Sequence, residues 1–190
     1  YTDVLWGRDF IYDKIGELKF KISQEAFFQT NTLGAKELYE TAKEHAGLSG
    51  KEKVLDLYCG TGTIGLYLAD QAEKVYGIEV VAPAMENAKE NAELNQIKNA
   101  EFICGDIDKS LHVLLEEVKV EIDVVILDPP RVGVGKKALQ RVLEINAKRI
   151  VYVSCNPTTF ARDLEILKEN GYSLKRARAV DMFPHTHHIE

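Results

Sequence analysis

Cysteine is scarce in this chain of 190 residues: Cys59, Cys104 and Cys155 are the whole set, without paired spacing. An odd, sparse set excludes a disulfide framework and suits a reducing compartment. Long apolar runs are lacking too. Hydrophobic residues make up 45% of the chain, enough for a substantial core, yet every run is interrupted too soon to span a bilayer. No charged-then-apolar leader opens the sequence, so no signal peptide is expected, and the expected location is the cytoplasm. An excess of basic charge is also missing. The formal net charge of −6 is not that of a protein whose whole surface grips nucleic acid. Local basic clusters at Lys136, Lys137 and Arg141, and at Lys175, Arg176 and Arg178, read as solvated faces. They neither require nor exclude an RNA substrate. Repeats and low-complexity tracts are absent, and the length suits one domain with a short appendage.

What is present is an alternation. From Lys53 onward, short apolar runs at 53–58, 74–79, 100–106, 123–128 and 149–155 are separated by segments with helical spacing. In the segment 82–95, Pro83 suits a first turn, and Met85, Ala88 and Ala92 share a face. The run 123–128 is apolar almost throughout, as a strand covered on both faces should be. Gly171 closes a last helix, and 172–183 reads as extended. Before the alternation, 10–23 reads as a hairpin and 24–47 as a loop and a helix. Such a pattern predicts an α/β fold with a mostly parallel sheet and helices on both faces. Ligands of that architecture bind at the carboxyl ends of the strands. Tyr58 to Gly62, Glu79, Asp106, Asp128 and Cys155 are all predicted at that rim.

Gly60, Gly62 and Gly65 form a G-x-G-x-x-G between a strand and a helix, the context this motif needs. Glu79 ends the next strand, where a carboxylate can accept both hydroxyls of a ribose. The pair fits a nicotinamide dinucleotide or S-adenosylmethionine. Asp56 favours the second. It would sit awkwardly near a pyrophosphate but can face water or an ammonium group. Asp106 is placed to reach an adenine amino group. Two prolines after Asp128 hold it extended and make a rigid lip, and the fourth place of that turn is Arg131. Cys155 closes an apolar run and is followed at once by Asn156 and Pro157. Cys59 and Cys104 lack that bend and read as packing residues. His185, His187 and His188 do not have the spacing of a zinc site, so a substrate-site loop is expected there, and no metal.

The segments FFQTN, DLYCGTG, GIE, DPPRVG, YVSCNPTTFARDL and DMFPHTHHIE occur in an order that resembles the bacterial RNA (uracil-5-)-methyltransferase family, over nearly the whole chain. The resemblance implies a Rossmann-like class I fold that uses S-adenosylmethionine to make 5-methyluridine in RNA, with 23S ribosomal RNA favoured over transfer RNA. It implies Cys155 as nucleophile and Glu190 as general base. It implies that Gln29, Tyr58, Gly60, Gly62, Thr63, Glu79, Asp106 and Asp128 line the cofactor site, and that Arg131 and Asn156 meet the substrate. Thr63 stands where relatives often carry Asn. The chemistry explains these residue types. Carbon 5 of uracil is a poor nucleophile until a thiolate adds at carbon 6, and a base must then remove the carbon-5 proton.

The sequence departs from the family in two places. An N-terminal RNA-binding barrel and the cysteines of an iron–sulfur cluster are not visible, and the chain ends where relatives continue into a last strand. The expected organisation is therefore a hairpin remnant at 1–23 followed by a catalytic domain at 24–190 without its last strand. Cofactor binding is expected to survive better than turnover, and no membrane or protein partner is expected.

Overall fold

The computed structural model describes residues 6–117, 119–186 and 188–190. A two-stranded antiparallel hairpin, β1 (Phe10–Ile15) and β2 (Leu18–Ser23), precedes helix α1 (Thr32–Ala46). The alternation follows: β3 (Lys53–Leu57), α2 (Thr63–Leu68), β4 (Lys74–Glu79), α3 (Ala82–Leu94), β5 (Ala100–Cys104), α4 (Ile107–His112), β6 (Val124–Leu127), α5 (Lys136–Ile145), β7 (Arg149–Tyr152) and α6 (Pro157–Glu169). The five later strands form one parallel sheet in the order β5-β4-β3-β6-β7. The strand order reverses at β3, which opens a crevice at the carboxyl ends of the strands there.

Each strand residue points to one face or the other with period two, and the core divides accordingly. Val54, Val124, Ile126 and Val151 face α1, α2, α3 and the hairpin. Leu55, Leu57, Val125 and Leu127 face α4, α5 and α6. All four residues of β6 are buried, as the sheet's two-sided cover demands. Helix boundaries follow side-chain chemistry. Asn31 caps α1 by accepting from Gly34 N at 3.0 Å, and Gly47 ends it in the left-handed conformation at φ 53°.

The hairpin is bound to the sheet's helical cover by two asparagines, Asn91 within α3 and Asn95 at its C-terminal cap. Asn91 accepts from Lys21 N (2.6 Å) and donates to Lys21 O (3.2 Å). Asn95 does the same with Lys19, at 2.9 and 2.7 Å. Each amide imitates a neighbouring strand, so the β2 edge is satisfied by a helix. Ile15, Phe20 and Ile22 pack into the same apolar cluster as α1 and α3.

Several boundaries differ from the sequence expectation. The segment after β5 begins as α4 but widens into a π-helical turn at Val113–Glu117. The third strand stops at Cys104, and its thiol is exposed rather than packed. Cys104 ends β5, the sheet's edge strand, beside Glu79 of β4. Cys59 is buried, as expected. The last strand ends at Tyr152, three residues before Cys155. Residues 173–181 run without regular secondary structure, except that Val180 and Glu190 exchange both backbone hydrogen bonds, at 2.9 and 3.1 Å.

Candidate active site

The turn after β3 is built for close approach. Tyr58 has φ 63°, unusual for a residue with a Cβ, and its hydroxyl donates to Val134 O at 3.2 Å. Gly60 has φ 54°, and a Cβ placed there would meet nothing within 4 Å, so the loop opens onto free space. Gly62, by contrast, is packed. A Cβ on it would lie 2.9 Å from the Phe102 ring. Thr63 begins α2, and its hydroxyl accepts from Tyr39 at 3.1 Å.

Behind the turn lies Asp56, with 1% of its surface exposed. One oxygen accepts from Gly65 N at 2.8 Å, and the other has no hydrogen-bond partner among the described residues. Burial, reinforced by the Glu79 charge, pushes its pKa up to about 7. Glu79 closes β4 and accepts from Gly60 N (3.1 Å), Val80 N (2.8 Å) and Val81 N (2.9 Å). Three donors fix the carboxylate and leave lone pairs free to accept more.

A cavity of about 450 Å³ opens at these strand ends. Tyr58, Glu79, Asp106, Val134 and Gly135 contribute to its wall. Asp106 caps α4, accepting from Asp108 N at 3.0 Å, and remains exposed. Gln29 is buried just before α1. Asp128 follows β6. Burial pushes its pKa up to about 8, and the charges of Glu190 and Asp56 add to the rise.

Cys155 lies in the bend between β7 and α6, half-buried. The bend forms because Ser154 bonds both to Asn156 N (3.2 Å) and to Asn156 O (3.0 Å). Asn156 then caps α6 through Thr158 N (3.1 Å), with Pro157 at the first helical position. The other end of the Asn156 amide donates to Arg131 O at 3.0 Å, so both ends serve the fold. Burial pushes the Cys155 thiol above its ordinary pKa. Glu190 and Asp128 push the same way, and the Arg131 guanidinium opposes them. Burial raises Glu190 as well, again opposed by Arg131. These four groups therefore share one electrostatic neighbourhood. Arg131 Nη2 lies 3.2 Å from the His188 ring. His187 lies outside the described residues, and no group of three or more potential metal ligands occurs among the described ones.

Comparison with known proteins gives the family. The sequence profile of tRNA (uracil-5-)-methyltransferases matches residues 5–190. The chain belongs to that family. An uncharacterized RNA methyltransferase of Caldanaerobacter subterraneus subsp. tengcongensis is 50% identical over 188 residues, covering 99% of this chain and 41% of the relative. One from Oceanobacillus iheyensis is 49% identical over 189 residues, again with 41% of the relative covered. The chain thus spans about two fifths of the length of these curated relatives. Among solved structures, the Pyrococcus abyssi tRNA (uracil-54, C5)-methyltransferase in complex with S-adenosyl-L-homocysteine superposes with a TM-score of 0.80. It is 36% identical and covers 97% of this chain and 43% of its own. The M. jannaschii tRNA m1G37 methyltransferase superposes with a TM-score of 0.64 at 17% identity and shows the fold alone. The fold is that of the class I S-adenosylmethionine-dependent methyltransferases, as the resemblance implied.

Three residues beside the candidate site lie in the YVSCNPTTFARDL segment, but sequence reasoning gave them no role. Asp163 is buried and accepts hydrogen bonds from Tyr152 and from the more exposed Arg162. In the sequence, Asp163 is one more acid on a helix, and only its spacing of seven from Asn156 marks the shared face.

Proposed function

We propose that this domain transfers a methyl group from S-adenosylmethionine to carbon 5 of a uridine in RNA, through a transient bond between Cys155 and the pyrimidine. The observation that carries this reading is the adjacency of two half-sites. The cavity wall at Val134 and Gly135 and the charged group around Cys155 are the two ends of one short loop.

The residues fit the cofactor. Gly60 leaves room where a Cβ would intrude, Glu79 keeps acceptor capacity for ribose hydroxyls, and the unpartnered Asp56 oxygen suits an ammonium or a bridging water. A dinucleotide fits less well. Its pyrophosphate would seek N–H groups at the start of α2, and Gly65 N is already held by Asp56. When bound, S-adenosylmethionine supplies an electrophilic methyl group on sulfur.

The protein residues do the rest. The Cys155 sulfur adds to carbon 6 of uracil once its proton is lost, and the ring becomes an enolate nucleophilic at carbon 5. Arg131 is a cation that favours the thiolate. After methylation, Glu190 takes the proton from carbon 5, and the sulfur leaves as thiolate. Gln29, Tyr58, Thr63, Asp106 and Asp128 are assigned to the cofactor side, and Arg131 to the substrate side. Asn156, committed at both ends, positions the bend rather than the base.

The archaeal relative is named for uridine 54 of transfer RNA, so transfer RNA stands beside 23S ribosomal RNA as a substrate. Labelled methyl transfer to transcripts of each class tests both points. Label in 5-methyluridine that vanishes in Cys155→Ala, while S-adenosylhomocysteine binding persists, supports the proposal. Label retained by that variant refutes it.

A further inference from the structure

The loop from Asp128 to Gly135 is held by one face of α6 at four places. Arg131 O accepts from Asn156 Nδ2 (3.0 Å) and from Thr159 Oγ1 (3.2 Å). Val132 O accepts from Arg162 Nη2 at 2.9 Å. Val134 N donates to Asp163 Oδ2 at 2.9 Å. Gly133, at φ 80°, has no room for a side chain, because a Cβ would lie 2.6 Å from Asp163 Oδ2.

Asp163 is the centre of this clamp. Its side chain is 1% exposed, yet every donor it needs is present. Tyr152 donates at 2.8 Å, and Arg162 pairs with it through Nε at 2.9 Å and Nη2 at 2.7 Å. A buried carboxylate this well satisfied is costly to disturb, because removing a partner leaves polar groups unpaired. Its bonds reach both halves of the site. On one side the clamped loop carries Arg131, whose guanidinium acts on Cys155 and Glu190. On the other, Val134 accepts from the Tyr58 hydroxyl and walls the cavity with Gly135.

We propose that Asp163, with Arg162, is a positioning pair that latches the 128–135 loop to α6 and thereby sets the thiol side and the cofactor side of the site together. The inference rests on the methyltransferase reading for its meaning, but its test does not depend on turnover. Alkylation of Cys155 by iodoacetamide is followed across pH by peptide-resolved mass spectrometry, which separates it from the exposed Cys104. Binding of S-adenosylhomocysteine is measured on the same proteins. The groups facing the thiol are Glu190, Asp128 and Arg131, and none is altered in the latch variants.

In Asp163→Asn and Arg162→Gln the alkylation midpoint is expected to move to higher pH, in the direction of Arg131→Gln. The rate below the midpoint should fall by about threefold or more, the effect of half a pKa unit. Affinity for S-adenosylhomocysteine should fall by a similar factor. Should Asp163→Asn not fold, Arg162→Gln, whose side chain is 47% exposed, carries the test. A pair that only lowers Tm, with midpoint and affinity unchanged, overturns the proposal, and so does movement of one readout without the other. If the unsubstituted protein binds no S-adenosylhomocysteine, the cofactor reading fails instead, and the alkylation profile alone decides the latch.

Discussion

Replacing Asp56 by Asn should change how stability depends on pH, by an amount the structure sets. The carboxyl is 1% exposed, keeps one hydrogen bond to Gly65 N, and has its pKa pushed up to about 7. In the unfolded chain the same group titrates near 3.9. The folded value is the higher one, so the folded state holds the proton more tightly. Stability from this site is full below about pH 4 and is lost as pH rises through about 7. A rise of about three units corresponds to ~4 kcal/mol in all, of which ~2.5 kcal/mol is lost between pH 5 and pH 8. Asn cannot titrate. Its amide leaves a buried N–H unpartnered at a cost of about 1–3 kcal/mol, but that cost is the same at both pH values. Urea unfolding of both proteins without ligand, at pH 5 and pH 8, should therefore show the parent losing ~2.5 kcal/mol more than the variant. Losses equal within about 0.5 kcal/mol would refute the claim that burial raises the pKa of this acid to about 7.

Other expectations follow from the same geometry. Asn91, fully buried, serves Lys21 N, Lys21 O and Thr61 O, so Asn91→Ala should cost about 2–3 kcal/mol. By thermal melting that is a fall of about 4–12 °C in Tm for a chain of this size. Gly62→Ala would force a Cβ to within 2.9 Å of Phe102 and 3.1 Å of Ala88 at φ 79°. A loss of about 2–4 kcal/mol in urea unfolding is expected, with weaker S-adenosylhomocysteine binding because the turn must shift. The pKa values of Cys155 and Glu190 are both raised, and the proposed mechanism uses both groups deprotonated, so single-turnover methylation should climb with pH through neutrality. A rate that peaks below about pH 7 would contradict those assignments.

Much of the architecture was legible because it is local. Period-two burial along Val54, Leu55 and Val124 to Leu127, the hairpin, and the glycine turn each follow from a few adjacent residues. The end of β7 was less legible, since Val153 continues the apolar run while the Ser154–Asn156 bonds bend the chain. The exposure of Cys104 depends on what packs over the end of β5, a property of the tertiary fold rather than of the sequence around it. Of the site residues named from motifs, Tyr58, Glu79 and Asp106 line one cavity, while Cys155, Glu190, Asp128 and Arg131 form a separate charged group. The Asp163 latch escaped because helical acids usually face water, and only the fold turns this one beneath the proline loop.

The central claim is the bond between sulfur and pyrimidine, and RNA carrying 5-fluorouridine tests it most directly. Fluorine cannot depart from carbon 5 as a cation, so the adduct should persist in the presence of S-adenosylmethionine. Mass spectrometry of the digested complex is expected to place the methylated fluorouridine on the peptide that contains Cys155. Adduct on Cys104, or no adduct while ordinary uridine in the same RNA is methylated, would contradict the account.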